Sequence, residues 1–183
     1  EVLDASLSPG EFLQALQELQ QKQSSDTGSG RNLIRSMIEH MESQVQTGVK
    51  LIDITVIHES FARTSEAEES FLKAIDEQVP KIFKKLSDLK IDGSETSSRI
   101  MALEATLRDV AQLRTEAQQV NAGSAMMFFT GLHSLLTVVV RRRVFLAAAR
   151  VDLVKERLHV MGGVIRQWVE HVRTQRAAID QLL

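Results

Sequence analysis

A seven-residue apolar cycle in the last third of the chain constrains its fold more than any other feature. Val144, Ala147, Val151, Val154, Leu158, Met161, Ile165, Trp168, Val172, Ile179 and Leu182 follow one another in alternating steps of three and four, and Gln175 is the stripe's one polar occupant. That alternation is the seam of a helix packed lengthwise against other helices. No proline occurs from Ala125 to Leu183, so the pattern predicts a single helix over about 125–183. At ~1.5 Å per residue such a helix would be ~90 Å long. Beside the seam, Leu146, Ala149, Leu153, Val160 and Val164 make a second stripe, giving a face wide enough to touch two neighbours.

The rest of the chain repeats the theme. Ser8-Pro9-Gly10-Glu11 is a helix start: Ser8 caps, Pro9 fits the first helical position and Glu11 closes a capping box. Phe12, Leu13, Leu16, Leu19 and Gln20 then mark one face of a short helix over about 8–23. Ser24 to Gly30 reads as a loop. Ile34, Ile38, Met41, Val45, Val49, Ile52 and Val56 begin a second long stripe, resumed by Leu72, Ile75, Val79, Ile82, Leu86 and Leu89. Its phase survives Pro80, which predicts one helix over about 32–91, kinked near that proline. Asp92 or Ser94 would cap a third helix over about 95–120, with Ile100, Leu103, Leu107, Val110 and Ala117 inward. Asn121 to Ser124 is a turn.

Few turn formers imply few connections: two prolines and nine glycines in 183 residues. The expected fold is therefore all-α, a single domain over 1–183. It is an elongated bundle of four or five helices, two of them very long and coiled-coil-like. The chain has no cysteine, which excludes a disulfide scaffold, a thiolate metal site and a cysteine nucleophile. Glu1-Val2-Leu3-Asp4 shows no signal-peptide pattern. Together with the missing cysteines this points to the cytoplasm, with peripheral membrane attachment as the alternative. Residues 141–183 carry nine Lys/Arg against four Asp/Glu, whereas residues 1–140 carry thirteen against twenty. Pairing of an acidic helix with a basic one explains this polarity better than an anionic partner.

Ala125 to Val140 is the most apolar stretch and ends on Arg141, Arg142 and Arg143. At 16 residues, interrupted by Gly131, His133 and Ser134, it falls short of the ~20 a spanning helix needs. One reading is a helix end enclosed by other helices. The other is a membrane element, with the arginines at anionic headgroups. Met126, Met127, Phe128, Phe129, Leu132, Leu135, Leu136, Arg141, Arg142 and Arg143 are the candidate contacts to a membrane or partner. The outline is similar to two known architectures. One is the pore-forming toxins that hide an apolar head between long helices. The other is the BAR-type dimers, with three long kinked helices behind a short amphipathic one. No sequence motif carries either likeness.

Chemistry is not signalled. His40, His58, His133, His159 and His171 include no pair at helical spacing for zinc. Glu156-Arg157-Leu158-His159 is a single Glu-x-x-His, where a di-iron bundle needs two. Gly28-Ser29-Gly30-Arg31 lacks the lysine of a phosphate loop. Trp168 sits on the seam and is expected in the core. The basic C-terminal helix has no interleaved surface aromatics, so nucleic acid is not an expected partner. No catalytic, cofactor or metal site is assigned. The expected function is a non-catalytic scaffold or adaptor that associates with itself or with a partner's helices; the alternative is a membrane-acting protein using residues 125–143.

Overall fold

The computed structural model describes residues 6–23, 32–93 and 95–183. The chain is all-α. Six α-helices are found among the described residues: α1 (Pro9–Gln23), α2 (Leu33–Gln46), α3 (Ile54–Lys85), α4 (Thr96–Gln119), α5 (Gly123–Arg142) and α6 (Ala148–Asp180). A 3-10 turn, Leu86–Leu89, extends α3. Two short strands, β1 (Ser6–Leu7) and β2 (Ile52–Asp53), pair antiparallel with Leu7 opposite Ile52. The chain divides into two compact units, Glu1–Glu66 with Trp168–Leu183, and Ala67–Gln167.

The first unit is built on an apolar cluster of Phe12, Leu16, Ile34, Ile38, Met41, Phe61 and Ile179. The predicted face of α1 supplies Phe12 and Leu16, with Leu13 and Leu19 packed at the edge. Asn32 caps α2, its side-chain oxygen accepting from the Arg35 N–H at 3.1 Å.

The helix expected over 32–91 is in fact two helices, although it does continue through Pro80 as expected. That proline lies inside α3. The chain leaves helix after Gln46, at Gly48, whose φ of +78° is left-handed. The Val49 N–H bonds the Gln44 carbonyl and the Gly48 N–H bonds that of Val45, the paired 6→1 and 5→2 bonds of a Schellman ending. The apolar spacing had concealed this stop. Val45, Val49 and Val56, read as one buried face, are exposed.

In the second unit α4 and α5 form a helical hairpin. Asn121, with φ of +57°, makes the reversal. The Ala122 N–H bonds the Ala117 carbonyl and the Asn121 N–H that of Gln118, so α4 ends as α2 does, with asparagine in place of glycine. The buried residues of α4 include Leu103, Thr106, Val110, Leu113 and Ala117. Those of α5 are Ala125, Phe129, Leu132, Leu136 and Val139. Both sets step by three and four, so the two stripes interdigitate along the hairpin. Glu95 occupies the N-cap of α4 without a side-chain capping hydrogen bond. Asp92, expected as a cap, instead pairs with Arg99, and Ser94 lies outside the described residues.

The helix expected over 125–183 is also two. α5 ends on Arg143, which is left-handed at φ 52°, and α6 begins at Ala148. Leu146, between them, joins a parallel bridge to Lys90: its N–H donates to the Leu89 carbonyl at 2.7 Å, and its carbonyl accepts from the Ile91 N–H at 2.9 Å. No glycine or proline marks this break. The backbone bonds given up by the helix are replaced by partners more than fifty positions away.

Candidate interaction surfaces

α6 buries Val151, Leu158, Ile165, Val172 and Ile179, one residue in every seven. The alternate seam positions behave differently. Gly162 and Val169 are buried, while Met161 and Trp168 are half-buried, so at these two turns the buried position is shifted by one residue from the predicted stripe. Trp168 is therefore not a fully buried core residue; Val169 takes that place. Gln175 is buried at 3% exposure. Its carbonyl accepts the Leu33 N–H at 2.8 Å, and its amide donates to Asn32 at 3.2 Å. The polar interruption of the seam thus binds the start of α2.

The second stripe of α6 stays uncovered. Leu153, Val160 and Val164 are 49%, 56% and 42% exposed, and Ala149 is exposed as well. Glu156 and Arg157 interrupt the stripe on its two sides, both exposed. Neither has an ion-pair or hydrogen-bond partner among the described residues.

The candidate contact residues of α5 split between two faces. Phe129, Leu132 and Leu136 are buried against the hairpin, whereas Met127 is 73% exposed. Met126, Phe128 and Leu135 are half-buried, and Arg141, Arg142 and Arg143 are exposed. The stretch is not enclosed on all sides: Met127, Gly131, Ser134 and Val138 make an open stripe opposite the packed one. α5 contains no acidic residue and has the length and composition of a membrane span. The arginines at its C-terminus complement the helix dipole.

Polar groups are placed structurally. Arg99, buried at 7% exposure, donates to the Asp88 carbonyl at 2.7 and 3.2 Å, to the Lys90 carbonyl, and to Asp92 at 2.9 Å. Sequence periodicity had marked none of this, because an arginine among apolar residues reads as a surface position. His58 faces Asp180 at 3.0 Å, and Lys155 donates to Ser87 at 2.7 Å. Burial, followed by the Arg114 charge, lowers the pKa of His133 from 6.5. Among the described residues no three His, Asp or Glu side chains gather as metal ligands, and Gly28–Arg31 lies outside them. A groove in the first unit is lined by His58, Phe61, Arg173, Arg176 and Asp180. A second, lined by Gln20, Gln23, Asn32, His171 and Gln175, offers mainly amides. No family model, curated protein or solved structure matches this chain.

Proposed function

We propose that this chain is a non-catalytic helical scaffold or adaptor whose long, coiled-coil-like helices associate with other helices. The open stripe Leu153–Val160–Val164 on α6 carries the reading. These side chains lie on one face of a long helix and leave apolar surface in water, at ~25 cal/mol per Å² not buried. A neighbouring helix would cover them.

Thiol protection tests it. The chain has no cysteine, so Val160→Cys introduces a single reporter. Alkylation of that thiol is expected to be slower in concentrated protein or in a lysate than in dilute purified protein. Equal rates in all three, with a monodisperse monomer throughout, would overturn the reading.

A second reading, a membrane-acting protein, is favoured by α5. Its open stripe, with Met127 and Val138, leads to exposed Arg141 and Arg142 in its last turn and Arg143 just beyond it, without a carboxylate on the helix. Apolar side chains beside a basic cluster suit an anionic bilayer surface. Co-sedimentation with anionic vesicles, lost in Met127→Asp and in Arg142→Glu, would support it; no sedimentation of the parent chain would sink it.

A further inference from the structure

We infer that the occupant of the open face of α6 is α6 of a second copy, lying parallel and in register. This inference rests on the scaffold reading and adds the identity and direction of the partner.

Charge sets the direction of the pairing. A line through Leu153 and Val160 runs down the middle of the exposed stripe. At ~100° per residue, Glu156 and Arg157 fall roughly 50° to opposite sides of it. Arg150 lies on the same side as Arg157, and Asp152 on the same side as Glu156. All four are exposed. The face therefore has a basic edge and an acidic edge flanking an apolar strip.

Two copies can meet across this face in two ways. In an antiparallel pair each edge meets its own kind: Arg157 approaches Arg157 of the second copy, and Glu156 approaches Glu156. In a parallel pair related by a two-fold axis along the helices, each edge meets its opposite. Arg157 then lies beside Glu156 of the second copy, and Arg150 beside Asp152. Asp152 also faces Lys90 of its own chain at 3.3 Å, so the Arg157–Glu156 pairs dominate. Leu153, Val160 and Val164 each meet their own counterparts. Like charges at close range disfavour the antiparallel pairing and opposite charges favour the parallel one. Glu156 and Arg157, which have no ion-pair or hydrogen-bond partner among the described residues, each acquire one.

Leu153 and Val160 are separated by ~10 Å along the helix, which makes single cysteines decisive. Under mild oxidation of the full chain, Leu153→Cys alone and Val160→Cys alone are each expected to give a disulfide-linked dimer. Cross-linking only when the two variants are mixed would show antiparallel pairing and overturn the inference. Charge reversal is the second arm, read by sedimentation equilibrium. Glu156→Arg and Arg157→Glu singly are expected to raise the dimer dissociation constant roughly tenfold, and the double exchange E156R/R157E to restore it. No rescue would overturn the register. If the pure protein stays monomeric but Val160→Cys is still protected in a lysate, the second copy is wrong and the scaffold reading survives. If neither effect appears, both fall.

Discussion

The guanidinium carbon of Arg99 lies 4.1 Å from the centre of the Phe145 ring. This contact joins the first turn of α4 to the segment between α5 and α6. The same guanidinium donates to the Asp88 carbonyl in the 3-10 turn and to the carbonyl of Lys90, the residue that bridges to Leu146. One side chain thus satisfies the carbonyls left open where the 3-10 turn ends, and its flat face covers the ring that follows the α5 break. Arg99→Ala is expected to cost about 2–4 kcal/mol, because part-buried carbonyls lose their donor and the packing of a buried side chain is lost. Arg99→Lys should recover less than half, since an ammonium cannot fork between carbonyls or stack flat on Phe145. Urea midpoints of the two variants check this; a midpoint unchanged in Arg99→Ala would remove the side chain from its bridging role.

Gln175 gives a prediction opposite to the one periodicity makes. Leucine there would complete the apolar stripe of α6 and should stabilise the chain if the stripe were all that mattered. The Gln175 carbonyl, however, accepts the Leu33 N–H. Gln175→Leu is expected to lower stability by about 1–2 kcal/mol by leaving that donor unpaired. Thermal or urea unfolding decides between gain and loss.

Leu136 and Val138 test the two-faced character of α5. Leu136 is fully buried and Val138 is 47% exposed. Leu136→Ala should cost about 2–5 kcal/mol through lost contacts and a cavity. Val138→Ala should stay within about 0.5 kcal/mol of the parent. Similar large losses at both sites would mean that α5 is covered all round.

His133 sets a pH dependence. Its pKa in the folded chain is lowered from 6.5 by burial and by the nearby Arg114. The unfolded chain therefore takes up the proton first as pH falls. Stability from this group is fully present above pH 6.5 and declines below it until the folded pKa is passed, where the loss levels off. His133→Gln should flatten that part of the stability curve. An unchanged slope between the parent and the variant would assign the decline to other groups.

Much of the helical content was legible in the sequence because it rests on local signals. The start of α1 at Ser8-Pro9, the turn at Asn121 and the buried positions Val151, Leu158, Ile165, Val172 and Ile179 are read from spacing and capping chemistry. Gly48 was legible in principle: a glycine in a helical pattern is a candidate C-terminal stop. It was missed because Val45, Val49 and Val56 keep helical spacing across it, although all three are exposed. Of the candidate contacts, spacing located α5 but did not divide Phe129, Leu132 and Leu136 from Met127. The open face carries Gly131, Thr130 and Ser134, which are only weakly polar, and Met127 and Val138 on it are as apolar as the packed residues.

By itself the sequence determined that the chain is helical, which stripes are apolar, and where Asn121 turns it. These follow from side-chain periodicity and backbone preference, which act over a few residues. Only the tertiary structure decided where α5 ends and α6 begins, and which of two apolar stripes on α6 is covered. The break at Arg143 has no local cause. It exists because Leu146 finds backbone partners at Leu89 and Ile91 and Phe145 finds Arg99, and contacts between residues so far apart leave no trace in the local pattern.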